Sequence, residues 1–379
     1  MLSHCRREDE GSTPFRIRLF GIWIKNLMKP LVSILIPAYN AQEFLVDTVR
    51  SALAQTWERK EIIIVDDGSR DGTLAVAKQF ESATVKVFTH LNQGAAATRN
   101  KAYSLCQGDY VQWLDADDLL NPEKVARQMG AAERASGKRT LLSSGWAYFM
   151  YRPHKARFIP TPLWEDLSPL EWMTRKLEHN LHMQTATWLV SRELTDAAGP
   201  WNTRLLVDDD GEYFARVLMA SDAVRFVPEA KVFYRISPAS RLSYIGRSHK
   251  KMEAQLHSME LNIQYIRSME DSQRVQAACV NYLRIWLPKF HPERPELVAR
   301  AQELAASLGG HLELPKPSWK YAAIQQLFGW PAAKLVQVHY NQCKSSVLRG
   351  WDKAMFAWEQ RRLVGATKDP TRRVAQSSR

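Results

Sequence analysis

Cysteine is scarce: four residues in 379, Cys5, Cys106, Cys279 and Cys343. They lie far apart and form no C-x-x-C pair, which excludes a zinc ribbon and a disulfide framework and fits a reducing compartment. The ten histidines form no H-x-x-x-H set. No apolar run approaches the roughly 20 residues of a membrane helix, and charge interrupts Phe15–Lys25, so no signal-peptide core stands at the N-terminus. Residues 1–30 are expected to be a poorly ordered extension. Solenoid or propeller periods are missing. Neither G-x-G-x-x-G nor G-x-x-x-x-G-K-[ST] occurs, so no glycine-rich loop cradles a phosphate.

The net charge of +12 is unevenly placed. Residues 1–30 carry +3 and residues 316–379 carry +9, leaving 31–315 neutral. A nucleic-acid enzyme carries basic charge on its working domain, so no nucleic-acid partner is expected. The basic end also holds Trp319, Phe328, Trp330, Trp351, Phe356 and Trp358. That mixture suits an anionic membrane surface, or equally helices packed on the rest of the chain.

Strand and helix patterns alternate from residue 31 to about 120. Val32–Pro37, Glu61–Val65, Thr84–Phe88 and Asp109–Leu114 read as short strands buried on both faces. Helical patterns separate them: one around Phe44–Leu53, one from Asp71 to Phe80 and a small-residue helix over Ala95–Cys106. Asn121-Pro122 is expected to open the next helix. This alternation predicts a doubly wound, mainly parallel α/β sheet whose ligands bind beyond the carboxyl ends of the strands. Asp66-Asp67 and Asp115-Ala116-Asp117-Asp118 follow strands two and four, and so share a rim. Further along, 140–150 and Thr185–Ser191 read as strands. Ser168-Pro169-Leu170-Glu171 is a capping-box helix start, and Asp208–Ala220 is a helix. From about Tyr244 the chain reads as a separate helical region.

The acidic clusters could be turns and helix caps. They fail as EF-hand loops, because the twelfth position after Asp67 is Lys78 and Asp115–Asp118 lacks the glycine. Without a glycine-rich loop a diphosphate needs a cation, and oxygen ligands such as Asp115, Asp117 and Asp118 suit Mg²⁺ or Mn²⁺.

Val32-Ser33-Ile34-Leu35-Ile36-Pro37-Ala38-Tyr39-Asn40, Val65-Asp66-Asp67-Gly68-Ser69, Gly94 with Arg99-Asn100, and Leu114-Asp115-Ala116-Asp117-Asp118 occur in that order. Together they resemble family 2 glycosyltransferases of the GT-A fold, over roughly residues 31–240. The resemblance implies a glycosyltransferase domain at 31–243, with a nucleotide-binding half at 31–120 and an acceptor half at 121–243. Helices at 244–365 and a basic, disordered tail at 366–379 would follow. It implies that Pro37, Ala38 and Tyr39 line the base pocket, that Asp67 accepts a hydrogen bond from the base, and that Asp66 supports that turn. The D-x-D element, Asp115 to Asp117 with Asp118, would hold the divalent cation, the diphosphate and the ribose. Metal contact falls to Asp117 or Asp118. Arg99 would approach the phosphates or form a structural ion pair.

In the family an acidic pair opens a helix after a segment that here resembles Gly199-Pro200-Trp201, and its second acid is the general base. Aligning on Arg216 makes Asp210 the base and Asp209 its neighbour on the acceptor side. Gly211 stands where an aromatic is common. Asp208 or Asp209 is also expected to cap the helix. Trp188 and Trp201 are the candidates for stacking on an acceptor, whereas Trp113 belongs to the core.

The activity implied is inverting, metal-dependent transfer of a sugar from a nucleotide-diphosphate donor to a hydroxyl acceptor, in surface polysaccharide or glycolipid assembly. Its setting would be cytoplasmic, with peripheral contact at the inner face of the membrane. The processive element Q-x-x-R-W is absent, so one sugar per visit is expected. The rival readings are a sugar-phosphate nucleotidyltransferase, against which Ala41-Gln42-Glu43 replaces a glycine-rich basic loop, and a sugar-nucleotide binder that has lost its base.

Overall fold

The computed structural model describes residues 29–135, 137–236, 245–246, 248–314 and 322–367. The expected N-terminal extension, save its last two residues, and the tail from residue 368 lie outside the described residues.

Four parallel strands build the main sheet: β1 (Val32–Ala38), β2 (Lys60–Asp66), β3 (Val85–Thr89) and β4 (Tyr110–Trp113). Val32–Ile36 and Ile62–Val65 are buried, as continuous apolar strands between two helical layers must be. The strand order is β3-β2-β1-β4-β7, with β7 (Val190–Ser191) antiparallel to β4. The order reverses between β1 and β4, the point where open α/β sheets leave a crevice for ligands. Helices α1 (Leu45–Leu53), α2 (Thr73–Lys78) and α3 (Ala95–Leu105) connect the strands. In α1 the buried residues are Leu45, Thr48, Val49 and Ala52, one stripe at helical spacing.

After β4 the chain forms β5 (Leu119–Leu120), α4 (Lys124–Arg134), β6 (Thr140–Phe149), α5 (Pro169–Glu178), α6 (Arg192–Ala198), α7 (Asp209–Ala220) and β8 (Ala223–Arg235). Strands β5, β8 and β6 make a second sheet. Ser168 caps α5 as the capping box predicts, accepting from the Glu171 N–H at 3.2 Å. The strand expected over Thr185–Ser191 is confined to its last two residues. The Gln184 side chain accepts the Ala186 N–H at 2.6 Å and turns Thr185–Thr187 into a 3₁₀ turn instead.

Helices α8 (His249–Met269), α9 (Gln273–Phe290) and α10 (Pro295–Ser307) follow, and α11 (Ala322–Thr367) is broken at Gly329, whose φ is +79°. The core of this region is continuous with that of the sheet. One continuous core runs from Leu35, Ile63 and Trp113 of the main sheet, through Trp188 and Phe214, to Met259 of α8, Leu283 and Phe290 of α9 and Ala301 of α10. Helix α11 reaches back as well. Arg152 pairs with Asp352 at 2.8 Å and Glu359 at 3.0 Å, and Lys353 pairs with Glu43 at 2.9 Å.

A shared core unfolds as a unit. Leu283 is fully buried, so Leu283→Ala should cost about 2–5 kcal/mol and move one melting transition. Calorimetry resolving two transitions, with only one displaced, would show that α8–α10 fold independently.

Candidate active site

The loops after β1 and β2 are laced together. Asn40, held at φ +48°, donates its N–H to Ser69 Oγ at 3.0 Å, and its Oδ1 accepts the Arg70 N–H at 2.9 Å. The Ala41 N–H reaches Thr73 Oγ1 at 2.7 Å. Asp71 accepts from the Thr73 and Gln42 N–H groups, so it holds the start of α2 rather than an ion. On this platform Pro37 is half-buried, Ala38 is buried and the Tyr39 ring is exposed.

Asp66 supports its own turn, as expected, and Asp67 holds a second one. Asp67 clamps the turn ahead of α3, accepting the Gln93 N–H at 2.8 Å and the Gly94 N–H at 3.0 Å. Gly94 sits at φ +91°, a conformation that favours glycine. Asp66 accepts from Ser69 and Thr89 through Oδ2, while its buried Oδ1 makes no hydrogen bond among the described residues.

Arg99, on α3, joins the rim to the far wall. Its Nη2 donates to Asp115 Oδ1 at 2.8 Å and its Nη1 to Asp209 Oδ2 at 2.7 Å. Its guanidinium lies 4.4 Å from the Trp201 ring centre, a favourable cation–π separation. Of the two readings of Arg99, the structure displays the ion pair. The neighbouring Asn100 makes a reciprocal pair with the Trp201 backbone, at 3.0 and 2.8 Å. Those contacts fix the Gly199–Trp201 segment, and Arg216 fixes it again by donating to the carbonyls of Ala198 and Pro200.

The D-x-D turn is held from β8 by Arg235, which sequence reasoning missed. The Arg235 N–H donates to Asp118 Oδ1 at 2.8 Å and its Nε to the Asp117 carbonyl at 2.7 Å. Its guanidinium lies between the rings of Phe44 and Phe149, at 4.7 and 4.4 Å. Asp118 is fully buried, and its Oδ2 takes the Gln184 amide. Each Asp118 oxygen thus already accepts a hydrogen bond inside the protein, an anchoring role beside the metal contact expected of Asp117 or Asp118. Asp117 is half-buried at the rim. Among the described residues no three His, Cys, Asp or Glu side chains form a ready metal cage.

At the start of α7, Asp208 has φ +55° and, against expectation, caps nothing with its side chain. Its carboxylate turns to Ser258 Oγ of α8 at 2.7 Å and to Gln255 Nε2 at 3.3 Å. Burial pushes its pKa up. The same turn explains Gly211, since any Cβ there would collide with the Asp208 carboxylate. Burial, with Asp210 and Asp115 nearby, also raises Asp209 against the pull of Arg99. Asp210 accepts the Thr185 hydroxyl at 3.1 Å and the Gly211 N–H at 2.9 Å.

Trp188 and Trp201 are core residues, and of the two Trp188 also lines the cavity beside Asp210. Both are buried. Trp201 stacks on Tyr213 at 4.0 Å, and Trp188 lies against Phe214 at 5.3 Å. Trp113 packs edge-on against Trp201 in the same core.

Residues 33–193 match the model of Glycosyl transferase family 2. TuaG of Bacillus subtilis, a glycosyltransferase named for teichuronic acid biosynthesis, is 44% identical over 104 residues, 27% of this chain and 41% of that one. An uncharacterized glycosyltransferase of Rickettsia typhi is 28% identical over 57% of this chain and 67% of its own. Chondroitin synthase of Escherichia coli is 43% identical over 25% of this chain, which is 14% of the synthase. The match thus spans less than half of TuaG and a small part of the synthase. The crystal structure of S. aureus TarS 1–349 in complex with UDP-GlcNAc superposes with a TM-score of 0.53 at 14% identity, covering 74% of this chain and 93% of that one. Residues 33–193 are thus similar to glycosyltransferase family 2, and the fold resembles the mainly parallel α/β fold of TarS, followed here by a helical C-terminal region.

Removing one partner from a buried ion pair costs about 3–5 kcal/mol. Arg99→Met should do so at pH 8, leaving Asp115 and Asp209 facing each other. The loss should shrink toward pH 5: a carboxyl with a raised native pKa binds its proton more tightly folded than unfolded, so the penalty grows as pH rises. Denaturant midpoints that do not change with pH would contradict this account.

Proposed function

We propose that the protein is an inverting glycosyltransferase. It would move a sugar, of hexosyl type, from a nucleotide-diphosphate sugar to a hydroxyl acceptor in surface polysaccharide or glycolipid assembly. The observation that carries the reading is the Arg99 bridge, which ties Asp115 at the end of β4 to Asp209 at the start of α7. Two acidic groups 94 residues apart in the chain thereby share one cleft. The polysaccharide setting is supported by the names of TuaG and chondroitin synthase, and the donor class by the UDP-GlcNAc bound to TarS.

On this reading Pro37, Ala38, Tyr39, Asp66, Asp67 and Gly94 form the nucleotide side. Asp117, with Asp115 Oδ2, would hold Mn²⁺ or Mg²⁺; such ions take one or two carboxylates and complete their shell with substrate phosphates, which suits the lack of a three-carboxylate cage. The cation supplies electrostatic stabilisation of the charge developing on the diphosphate. Asp210 is the general base. It accepts the acceptor's hydroxyl proton as that oxygen bonds to the anomeric carbon. The bond from that carbon to the diphosphate breaks, its electron pair leaves with the nucleotide, and attack from the opposite face inverts the centre. Positive charge spreads over the sugar ring in the transition state, as in glycoside hydrolysis. Thr185 and the Gly211 N–H orient the Asp210 carboxylate, and the helix N-terminus favours its negative charge.

Asp210→Asn should lower transfer by about 10²-fold or more while keeping donor affinity. A screen of UDP-, GDP- and dTDP-sugars with Mn²⁺ should raise the melting temperature, since ligand at 100 times Kd adds about 2.7 kcal/mol. No shift with any donor, or full activity in the asparagine variant, would overturn the proposal.

The same reading places the enzyme at the inner face of the membrane, contacted through α11. Leu327, Phe328, Val347 and Trp351 of that helix are exposed. Its acids Asp352 and Glu359 are consumed by Arg152, which leaves its surface cationic and apolar, the combination anionic lipid attracts. No described helix is long and apolar enough to cross a membrane. Pelleting with phosphatidylglycerol vesicles, and much less with phosphatidylcholine, is expected; equal pelleting with both removes the electrostatic contact.

A further inference from the structure

Beside Asp210 lies a cavity of about 140 Å³, walled by both parts of the molecule. Trp172 and Lys176 come from α5, Asn180 from the turn after it, Asp210 from α7, and Tyr282 and Trp286 from α9. A cavity of about 150 Å³ accepts a benzene ring, so this one has room for a bare six-membered ring. Its walls mix aliphatic and aromatic side chains with several polar groups, the usual make-up of a small-molecule site. The Trp286 indole N–H donates to Asn180 Oδ1 at 3.1 Å, which fixes that ring at the mouth.

The charges around the cavity are telling. Arg175 pairs with Glu165 and Glu171, and Arg274 of α9 pairs with Glu171 and Glu178. Those pairs occupy both glutamates of α5. Lys176, one residue from Arg175, makes no ion pair or hydrogen bond among the described residues. Asp208 shares the wall; its carboxylate is engaged by Ser258 and Gln255, and burial raises its pKa against the pull of the nearby Lys176 charge. A half-buried ammonium with no hydrogen bond or close ion pair among the described residues, facing the Asp208 charge only at a distance, therefore borders a ring-sized space that ends on the Asp210 carboxylate.

We propose that this cavity seats the acceptor, a sugar ring bearing a carboxylate or phosphate that Lys176 binds while a ring hydroxyl faces Asp210. The proposal rests on the glycosyl-transfer reading above and specifies its acceptor class. It also gives α9 a function: Tyr282 and Trp286 make the helical region part of the acceptor site.

The test uses the full chain with Mn²⁺ and UDP, so that the donor side is filled. It is titrated with glucose, glucuronate and glucose 6-phosphate, followed by tryptophan fluorescence. One or both acidic sugars should bind at least ten-fold more tightly than glucose, and the better of the two identifies carboxylate or phosphate. Lys176→Met should erase the preference, Lys176→Arg should keep it, and 0.5 M NaCl should weaken it. Equal binding of the three sugars, or a preference that survives in Lys176→Met, overturns the inference. UDP stabilisation is read in the same samples. Protein stabilised by UDP that does not discriminate among the sugars sinks this inference alone; absence of stabilisation by UDP, GDP and dTDP alike sinks the transfer reading and this inference with it.

Discussion

Arg99 is the ion around which the rest of the cleft is arranged. A buried guanidinium must be paired, because removing it from water costs several kcal/mol. Its two partners lie on opposite walls, Asp115 beyond β4 and Asp209 at the head of α7. The pairing therefore fixes the separation of the two walls as well as the charge. Trp201 backs the guanidinium, and Asn100 holds Trp201 by its backbone. Asp67 sets where α3 begins by holding Gln93 and Gly94. A displacement of Asp67 would be carried along α3, a helix of three turns, to the opposite wall.

The second tie is Arg235. It grips the D-x-D turn mainly through backbone groups, donating to the Asp117 carbonyl while its own N–H goes to Asp118. Asp118 is thus a structural anchor that keeps Asp117 at the rim. The small sheet that carries Arg235 in β8 is therefore a scaffold for the acidic turn as much as a layer of core.

Much of this was legible in the sequence, for physical reasons. Strands buried on both faces are uniformly apolar, so β1, β2 and β4 stood out, and the rim aspartates had to follow them. The roles within each acidic group were not legible. Whether Asp66 or Asp67 clamps a turn depends on which backbone N–H groups lie within 3 Å, and those belong to residues 93 and 94. The burial of Trp188 and Trp201 depends on Phe214 and Tyr213, set by packing and not by spacing. Strand β8 was missed because Pro228 and scattered charges mask its alternation. The strand expected at Thr185 failed because a glutamine side chain captured the backbone.

Helix α11 is moored at two places that frame the cleft. Lys353 reaches Glu43, five residues after Ala38 in the segment leaving β1, and Asp352 and Glu359 reach Arg152 beyond β6. Contacts at Lys353, Asp352 and Glu359 bias the bearing of the helix without locking it. Whatever settles on its outward-facing tryptophans and leucines is held near one bearing and height relative to the cleft, so the geometry of approach is biased before any substrate arrives.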